Sequence, residues 1–344
     1  MLNIPHIGTL PAGPRNAISD VAGVTVGHAT LAQGPIQTGV TVIRPHGGDP
    51  FRDKVPAAAT VFNGFGKSIG LVQVQELGVL ETPIALTNTL SVGSVATAQI
   101  ISAIGDNPEI GRSDPTVNPL VFECNDGYLN DIQALAITAD HYRQALSAAA
   151  ADFAQGAVGA GRGMSSFELK GGIGSASRLA QVGGKQYCVG ALVLSNFGKL
   201  SGLTLAGRRI GEELLRLRQP LEDVPEMGSI IMIIATDAPL DARQLGRLAT
   251  RCGVGLGRTG SIYGHGSGDL ALAFSTAQTL PYRPDQAMHQ SASLHDSFLD
   301  PLFEAVVDST EQAIVNALFA AETVTGRDGH QRQSLRDASA NLPA

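Results

Sequence analysis

Short apolar runs and longer amphipathic segments alternate along this chain. Runs rich in β-branched and aromatic residues, bounded by glycine, proline or asparagine, predict strands over residues 24–26, 39–43, 57–62, 83–86, 118–123, 188–194, 229–235 and 270–275. Apolar residues at helical spacing predict helices over residues 68–77, 92–104, 139–154, 241–252 and 302–321. Sheets inside and helices outside, in stacked layers, are the simplest way to bury this much apolar surface.

Two polar segments complete the pattern. The proline-bounded stretch over 216–225 predicts an exposed loop just before the strand at 229–235. The tail after Thr325 is polar and is expected to be loose. A mobile segment before residue 229 is the kind of place where a chain can be cut.

The composition describes a globular protein with a large core. The chain has 344 residues, of which 43% are hydrophobic and 16% charged, and its net charge is -7. The sequence has no cluster of lysine and arginine, so neither a nucleic acid nor an anionic membrane surface is indicated as a partner. The longest apolar run, over 230–235, is far too short to span a bilayer. The N-terminal residues lack the basic and apolar segments of a signal peptide, so a cytoplasmic protein is expected.

The cysteines do not indicate disulfides or a metal site. Cys124, Cys188 and Cys252 are odd in number, widely spaced and form no C-x-x-C pair. They are expected to be small buried hydrophobic residues. The histidines are scattered and show no paired metal spacing, so no metal is expected.

The pair Gly228-Ser229 is the first candidate for chemistry. It stands directly before the apolar run at 230–235. A glycine leaves the carbonyl before a serine unhindered and tolerates a strained backbone. The serine hydroxyl can attack that carbonyl, and hydrolysis of the ester leaves Ser229 as a new N-terminus with its own α-amine as base. The alternative is an ordinary turn that opens a strand.

Ser267 and Asp269 are the second candidate. They lie two residues apart at the start of the strand predicted over 270–275, so both side chains can point to one side of the backbone. There they would hold a nucleophile and relay protons. The alternative is a polar turn.

Two further segments offer oxyanion donors. Tyr128 lies in a stretch of turn-forming residues over 125–131, and Asn196 follows the strand predicted over 188–194. A phenol hydroxyl and a side-chain amide are good donors to a developing oxyanion. Without a site nearby, both segments are simple loops.

Several familiar motifs are absent or out of context. The glycine-rich stretch over 156–163 lacks the Gly-Lys-Ser/Thr ending of a phosphate-binding loop, and the G-x-G-x-x-G over 255–260 follows a helix where a strand is needed. No Gly-x-Ser-x-Gly surrounds Ser229 or Ser267. Nucleotide binding and the α/β-hydrolase elbow are therefore not indicated.

Taken together, these segments resemble one family, the L-aminopeptidase/D-esterase and β-peptidyl aminopeptidase group (DmpA-type peptidases). The motifs that carry the resemblance cover nearly the whole chain, in order, at residues 16–28, 125–131, 158–161, 170–174, 235–240, 266–269 and 273–276. The resemblance implies an α/β fold, a four-layer αββα sandwich of the type shared with ornithine acetyltransferases. This fold looks like that of the N-terminal-nucleophile hydrolases but connects its elements differently.

The resemblance also implies an activity. It implies a single domain that cleaves itself at Gly228-Ser229 into an α-subunit of residues 1–228 and a β-subunit of residues 229–344. The two would stay together, and the αβ units would assemble further, commonly into a tetramer of heterodimers. The processed enzyme would be an aminopeptidase that removes N-terminal residues from short peptides, amides and esters. It would need no metal or organic cofactor.

The site residues follow by position in the family motifs. The resemblance assigns the nucleophile to Ser229, its assistants to Ser267 and Asp269, the oxyanion donors to Asn196 and Tyr128, and the contact with the substrate's free amine to Glu123.

Two rival functions share this fold. One is an acyltransferase like the ornithine acetyltransferases, whose nucleophile is a threonine where this chain has Ser229. The other is a relative that keeps the fold and never cleaves itself. Self-processing and release of p-nitroaniline from an L-alanine or β-alanine anilide would separate the three.

Overall fold

The structure, a computed structural model, describes residues 3–217, 228–284, 286–288 and 290–340. Most of the exposed loop predicted over 216–225 lies outside these residues. Met227, which precedes the Gly228-Ser229 pair, also lies outside them.

The strands are much as the apolar runs predict, and most are longer. In chain order they are β1 (Thr25–Gln33), β2 (Ile36–Arg44), β3 (Asp53–Gly64), β4 (Val79–Leu80), β5 (Ile84–Asn88), β6 (Leu120–Cys124), β7 (Ser165–Ser166), β8 (Leu169–Lys170), β9 (Gly172–Val182), β10 (Lys185–Asn196), β11 (Ser229–Thr236), β12 (Gly268–Ser275), β13 (Leu280–Pro281), β14 (Val324–Thr325) and β15 (Gln331–Arg332).

The α-helices include the five that the spacing predicts. They are α1 (Leu71–Leu77), α2 (Val92–Asp106), α3 (Ala139–Ser147), α4 (Ile210–Arg216), α5 (Ala242–Arg258), α6 (Asp300–Ala320) and α7 (Leu335–Ala338). Short 3₁₀ turns occur at Ile18–Asp20, Thr89–Ser91, Ile132–Ala134, Gly159–Gly161, Leu200–Gly202, Asp296–Phe298 and Arg327–Gly329.

Two main sheets form the centre of the fold. The smaller has the strand order β1-β2-β5-β6, and the larger has the order β13-β3-β12-β11-β10-β9, with β4 on β3. In the larger sheet, β11 is antiparallel to β10 and parallel to β12. The strand that begins at Ser229 is therefore paired on both edges.

The sheets stack face to face, and helices cover their outer faces. Phe122 of the smaller sheet shares one core with Ile231 and Leu272 of the larger sheet. On the outer face of the larger sheet, Met232 shares a second core with residues of α5 and α6. Residues of α2 and α3 form a third core on the smaller sheet. These layers confirm the four-layer αββα sandwich.

The alternation along β11 determines where its first side chain points. Ile230 and Met232 belong to the core under the helices, whereas Ile231 and Ile233 belong to the core between the sheets. Because successive residues of a strand face opposite sides, Ser229 shares the face of Ile231. Its hydroxyl is thus directed to the space between the two sheets.

The predicted helix over 139–154 is too long at its C-terminal end. α3 ends at Ser147, and Ala150 instead exchanges two backbone hydrogen bonds with Val26 of β1, at 2.9 and 3.1 Å. Alanine favours a helix locally, but pairing with a strand decides the conformation here.

The sequence pattern also missed β9. Its first residues, Gly172 and Gly174, lie in a glycine-rich stretch that is typical of a loop. A Cβ atom on Gly174 would lie 1.9 Å from the carbonyl oxygen of Ala313 in α6. These glycines therefore permit a helix to pack closely on the strand, which is one reason why glycine occurs inside sheets.

Within the described residues, which extend to Ala340, the tail after Thr325 is not loose. β14 and β15 pair with each other, and Leu335 of α7 is completely buried. A polar sequence was a poor guide here because one buried leucine anchors the segment. Among the described residues, no helix combines the length and apolar character needed to cross a membrane.

Candidate active site

A cavity of about 730 Å³ lies at the N-terminal end of β11. Ser229 and Gly228 form part of its wall, and Glu123 lies in the same cavity. The other lining residues are Phe65, Lys67, Thr89, Asn125, Lys199, Ser201, Gly202, Gly260, Ile262, Gly264, His265 and Gly266. Two of the residues predicted for the site, far apart in the sequence, thus share one space.

The Ser229 hydroxyl lies against the bond that precedes it. Oγ donates a hydrogen bond of 2.8 Å to the carbonyl oxygen of Gly228. The backbone N–H of Gly268 lies 3.1 Å from Ser229 Oγ and 3.2 Å from Gly228 O, so it can donate to either atom. A Cβ atom on Gly228 would lie 2.5 Å from the carbonyl oxygen of Asn196. Packing therefore favours glycine before the serine.

Ser267 and Asp269 flank the Gly268 amide. Ser267 Oγ donates to Asp269 Oδ1 at 2.7 Å, and both side chains are buried. This bond confirms that the two side chains point to one side of the backbone. Asn63 of β3 fixes the loop before them, because its Nδ2 donates to the carbonyl oxygens of Gly264, His265 and Ser267. In the described structure, the polar contact from this segment to Ser229 Oγ is made by the Gly268 amide.

Asn196 lies directly beside Ser229. The two residues are partners in the β10–β11 register. Asn196 Oδ1 accepts from the Ser165 amide at 2.8 Å, and Nδ2 donates to the carbonyl oxygen of Asn125 at 3.1 Å. Because a backbone N–H only donates and a backbone carbonyl only accepts, one orientation of this amide satisfies both contacts. The second Nδ2 hydrogen is left without an acceptor among the described residues.

Glu123 is a buried carboxylate at the cavity wall. It is 2% exposed, and its two oxygens accept from the backbone N–H of Lys67, at 2.8 Å, and from the hydroxyl of Thr89. Within the described residues no cationic side chain forms an ion pair with it. A buried carboxylate that lines a cavity and forms no ion pair is suited to bind a cationic group.

Tyr128 does not come together with these residues. Its ring stacks on His330, with 4.7 Å between the ring centroids, and the Arg332 guanidinium lies 3.6 Å from the ring centroid. Tyr128 does not line the cavity, and no contact described for the chain joins it to Ser229. Its assignment as an oxyanion donor stays a prediction.

Three functional contacts escape sequence reasoning. Thr89 and Lys67 hold Glu123 from positions 34 and 56 residues away, and neither belongs to a recognisable motif. The Gly268 amide is a backbone group, which no residue type reveals. The only signal in the sequence was the motif Gly266-Ser267-Gly268-Asp269, in which a glycine stands between two polar residues.

Burial changes the acid–base properties of several groups in the protein. It raises the pKa of Asp126 to about 7, although hydrogen bonds from Thr38 and Asn130 act in the opposite direction. Burial also lowers the pKa of Lys170 well below its usual value. Cys124, Cys188 and Cys252 are free and buried, as expected, and burial raises the pKa of each thiol. Among the described residues, no group of three or more His, Cys, Asp and Glu side chains is placed to hold a metal ion.

A four-layer αββα sandwich with a serine at the start of a central strand is similar to the fold of the N-terminal-nucleophile hydrolases. Residues 16–332 match Peptidase family S58. A curated relative, the β-peptidyl aminopeptidase BapA of Sphingosinicella xenopeptidilytica, is 40% identical over 94% of this chain and 85% of its own length. The chain belongs to peptidase family S58 and is a serine aminopeptidase.

Solved structures agree with this assignment. The PH0078 protein from Pyrococcus horikoshii OT3 is 48% identical, with a TM-score of 0.93 over 97% of this chain and 95% of its own. The L-aminopeptidase D-Ala-esterase/amidase from Ochrobactrum anthropi is 35% identical, with a TM-score of 0.89 over 97% of this chain and 96% of its own. It is described as a prototype of the serine aminopeptidases and a variant of the Ntn hydrolase fold.

Proposed function

We propose that this aminopeptidase is made as one chain and activates itself by cutting the Gly228-Ser229 bond. The observation that carries the proposal is the contact of Ser229 Oγ with the carbonyl of the residue before it, at 2.8 Å. Attack of Oγ on the Gly228 carbonyl carbon closes a five-membered ring, and collapse of the ring breaks the C–N bond and leaves an ester. Water then hydrolyses the ester to a Gly228 carboxylate and a free Ser229. The products are an α-subunit of residues 1–228 and a β-subunit of residues 229–344.

The Gly268 amide would assist this step. It lies 3.2 Å from the Gly228 oxygen, which becomes negatively charged when Oγ adds to the carbonyl. A fixed N–H donor at that oxygen stabilises the charge as it develops. Ser267 and Asp269, on either side of this amide, would hold it in place and relay the proton.

The processed site would then act on substrates. The free amine of a short peptide, amide or ester would pair with Glu123, which selects N-terminal residues. Ser229 Oγ would attack the first carbonyl, and the Ser229 α-amine, with an ordinary pKa of about 8, would accept the proton. The free Nδ2 hydrogen of Asn196 would stabilise the oxyanion. Water would then release the acyl group. The names of the relatives make N-terminal β-amino and L-α-amino residues the first substrates to test.

The assembly and location are part of the same proposal. Cytoplasmic location and a tetramer of αβ heterodimers stay predictions from the sequence and the family resemblance. No metal or organic cofactor has a step in this mechanism.

Intact mass under denaturing conditions tests the self-processing. The wild-type protein should give two species of 228 and 116 residues, or 227 and 116 if Met1 is removed, and the processed protein should release p-nitroaniline from an alanine anilide. Ser229→Ala should give one uncleaved, inactive chain. A Ser229→Ala protein that still splits into two pieces and turns over substrate would contradict the proposal. A single full-length species that still hydrolyses the anilide would contradict the activation step alone.

A further inference from the structure

Behind Asn196 lies a buried ammonium group that the proposed reaction does not use. Lys170 is completely buried, and its Nζ donates to the carbonyl oxygens of Gly161, Met164 and Gly171, at 2.9, 2.9 and 2.8 Å. Three acceptors match the three hydrogens of an ammonium group. Within the described residues no carboxylate forms an ion pair with it. Burial lowers the pKa of Lys170 well below its usual value, whereas hydrogen bonds to three carbonyl oxygens favour the protonated form.

One of these carbonyls belongs to the peptide group that holds Asn196. The carbonyl of Met164 accepts from Lys170 Nζ, and the N–H on the other side of the same peptide bond, that of Ser165, donates to Asn196 Oδ1 at 2.8 Å. The atoms of a peptide group lie in one rigid plane, so fixing its oxygen also fixes its N–H. A cation at the oxygen also polarises the group and strengthens the bond that the N–H donates.

The segment that carries this peptide group is strained. β7 and β8 form a hairpin whose two turn residues, Phe167 and Glu168, have φ angles of 52° and 59°. Such turns favour Asn-Gly, because other residues resist positive φ. Backbone strain persists only where the surroundings enforce it, and it is concentrated at functional sites.

The surroundings that enforce it lie on both sides of Asn196. Ser166 Oγ and Ser195 Oγ are hydrogen-bonded at 2.6 Å, and the Phe167 amide donates to the Phe197 carbonyl at 2.7 Å. The Phe167 and Phe197 rings meet edge to face, with 4.9 Å between their centroids. The hairpin is thus fastened to the residue before Asn196 and to the residue after it.

We propose that Lys170 is a positioning residue of the aminopeptidase. Through the Met164-Ser165 peptide group, it holds the Asn196 amide so that the free Nδ2 hydrogen points to the carbonyl oxygen of the bound substrate. This inference rests on the oxyanion role proposed above for Asn196.

A double-mutant cycle on turnover of β-alanine p-nitroanilide tests the link. The variants are Lys170→Met, Asn196→Ala and the two combined, with kcat expressed per processed chain as counted by intact mass. Loss of an oxyanion donor lowers kcat by about 10²–10³-fold, which is expected for Asn196→Ala. Misplacing a group by about 1 Å costs up to about 10²-fold, so Lys170→Met should lower kcat by roughly 10- to 100-fold with little change in KM. The combined variant should be no slower than Asn196→Ala by more than about threefold, because the two residues act through one contact.

Arg178→Met is the matched control. Arg178 is also completely buried, and it donates to backbone carbonyl oxygens. It differs in its distance from Asn196: it lies opposite Val189, whereas Gly172, six residues earlier on β9, lies opposite Ser195. This variant should lose stability and keep the kcat of its folded, processed fraction. If Lys170→Met does not fold, Lys170→Gln and Ser165→Pro replace it in the cycle, since Ser165→Pro removes the N–H donor and leaves the ammonium in place.

The outcomes separate the two proposals. Wild-type kcat in Asn196→Ala would refute the oxyanion role, and the inference would be refuted with it. If Asn196→Ala is slow and the combined variant loses kcat by the product of the two single-variant factors, the oxyanion role is kept and the link to Lys170 is refuted. Wild-type kcat in Ser165→Pro would refute the link as well.

Discussion

At the scale of single residues, the site is a set of polar groups, each of which keeps some capacity for a further hydrogen bond, ion pair or reaction. Glu123 has both oxygens occupied by neutral donors and forms no ion pair in the described chain. Asn196 has one hydrogen to spare. Ser229 has its hydroxyl on the carbonyl of Gly228. A substrate with a free amine and a carbonyl would supply what the first two lack, and the proposed self-cleavage would free the third.

Glu123→Gln should weaken binding of the substrate amine. Glutamine has nearly the same shape but no charge, so a charge-assisted contact becomes a neutral one. We expect KM for β-alanine p-nitroanilide to rise by about 10- to 100-fold, the equivalent of roughly 1.5–3 kcal/mol, with a smaller change in kcat. Steady-state kinetics on processed protein measure this. Glu81→Gln is the control, because Glu81 is another buried carboxylate but is paired with Lys54. An equal rise of KM in both variants would mean that Glu123 acts through stability alone.

Asp126 should make the stability of the protein depend on pH. Its carboxyl keeps its proton up to about pH 7 in the folded chain, whereas an unfolded aspartate loses it near 3.8. The folded state therefore binds more protons between these values, so this contribution to stability is complete at low pH and is lost as the pH rises through 7. The wild-type chain should lose of the order of 4 kcal/mol relative to Asp126→Asn between pH 4 and 8, since one pKa unit is worth about 1.4 kcal/mol.

Urea unfolding in the uncleaved Ser229→Ala background measures this difference. Burial lowers the pKa of His28 from 6.5 to about 4, which takes away stability as the pH falls below 6.5. That effect is common to both proteins, so it cancels in the comparison. Parallel stability curves for the two proteins across this pH range would show that Asp126 is not the titrating group.

At the scale of elements, the sequence predicts the strands of the core better than it predicts the long-range contacts that end a helix or pack one element on another. Apolar runs locate β11 and β12, because a strand that is buried on both faces has a nearly continuous apolar sequence. The end of α3 depends on Val26, and the glycine at position 174 of β9 is explained by packing against Ala313; both partners are distant in the chain. The same holds for the site: Ser229, Ser267 and Asp269 stand out in local motifs, whereas Thr89 and the amide of Lys67 matter only through the fold.

Gly174→Ala should test the packing of α6 on β9. The added Cβ would lie 1.9 Å from the carbonyl oxygen of Ala313 and 2.7 Å from Cβ of Ala317, so the helix must move away from the sheet. Overpacking of this kind costs about 1–3 kcal/mol of the free energy of unfolding. Chemical denaturation in the Ser229→Ala background measures the loss. Gly105→Ala in α2 is the control, because a Cβ there meets no atom within 4 Å, and it should stabilise by about 0.5–1 kcal/mol. Equal stability of the two variants would contradict the packing argument.

At the scale of the whole molecule, the proposed cut should leave two chains that fold only together. β11 and β12 belong to the β-subunit, yet β11 pairs with β10 and β12 pairs with β3, both of which belong to the α-subunit. The core under α5 and α6 also contains residues of both pieces. The pieces share one sheet and one core, so neither has a complete core of its own.

Unfolding of the processed protein should therefore depend more steeply on its concentration than unfolding of uncleaved Ser229→Ala, since assembly into tetramers would add the same dependence to both. Two chains that separate on unfolding are stabilised by mass action, so each tenfold dilution costs about 1.4 kcal/mol. This should lower the thermal midpoint of processed protein by about 2 °C more per tenfold dilution than that of Ser229→Ala. Scanning calorimetry or circular dichroism at several concentrations measures it, with Ser229→Ala as the matched single chain. Gel filtration of processed protein in native buffer should show both pieces in one peak. Separate peaks there, or equal dilution behaviour of the two proteins, would mean that the pieces are independent domains rather than halves of one sandwich.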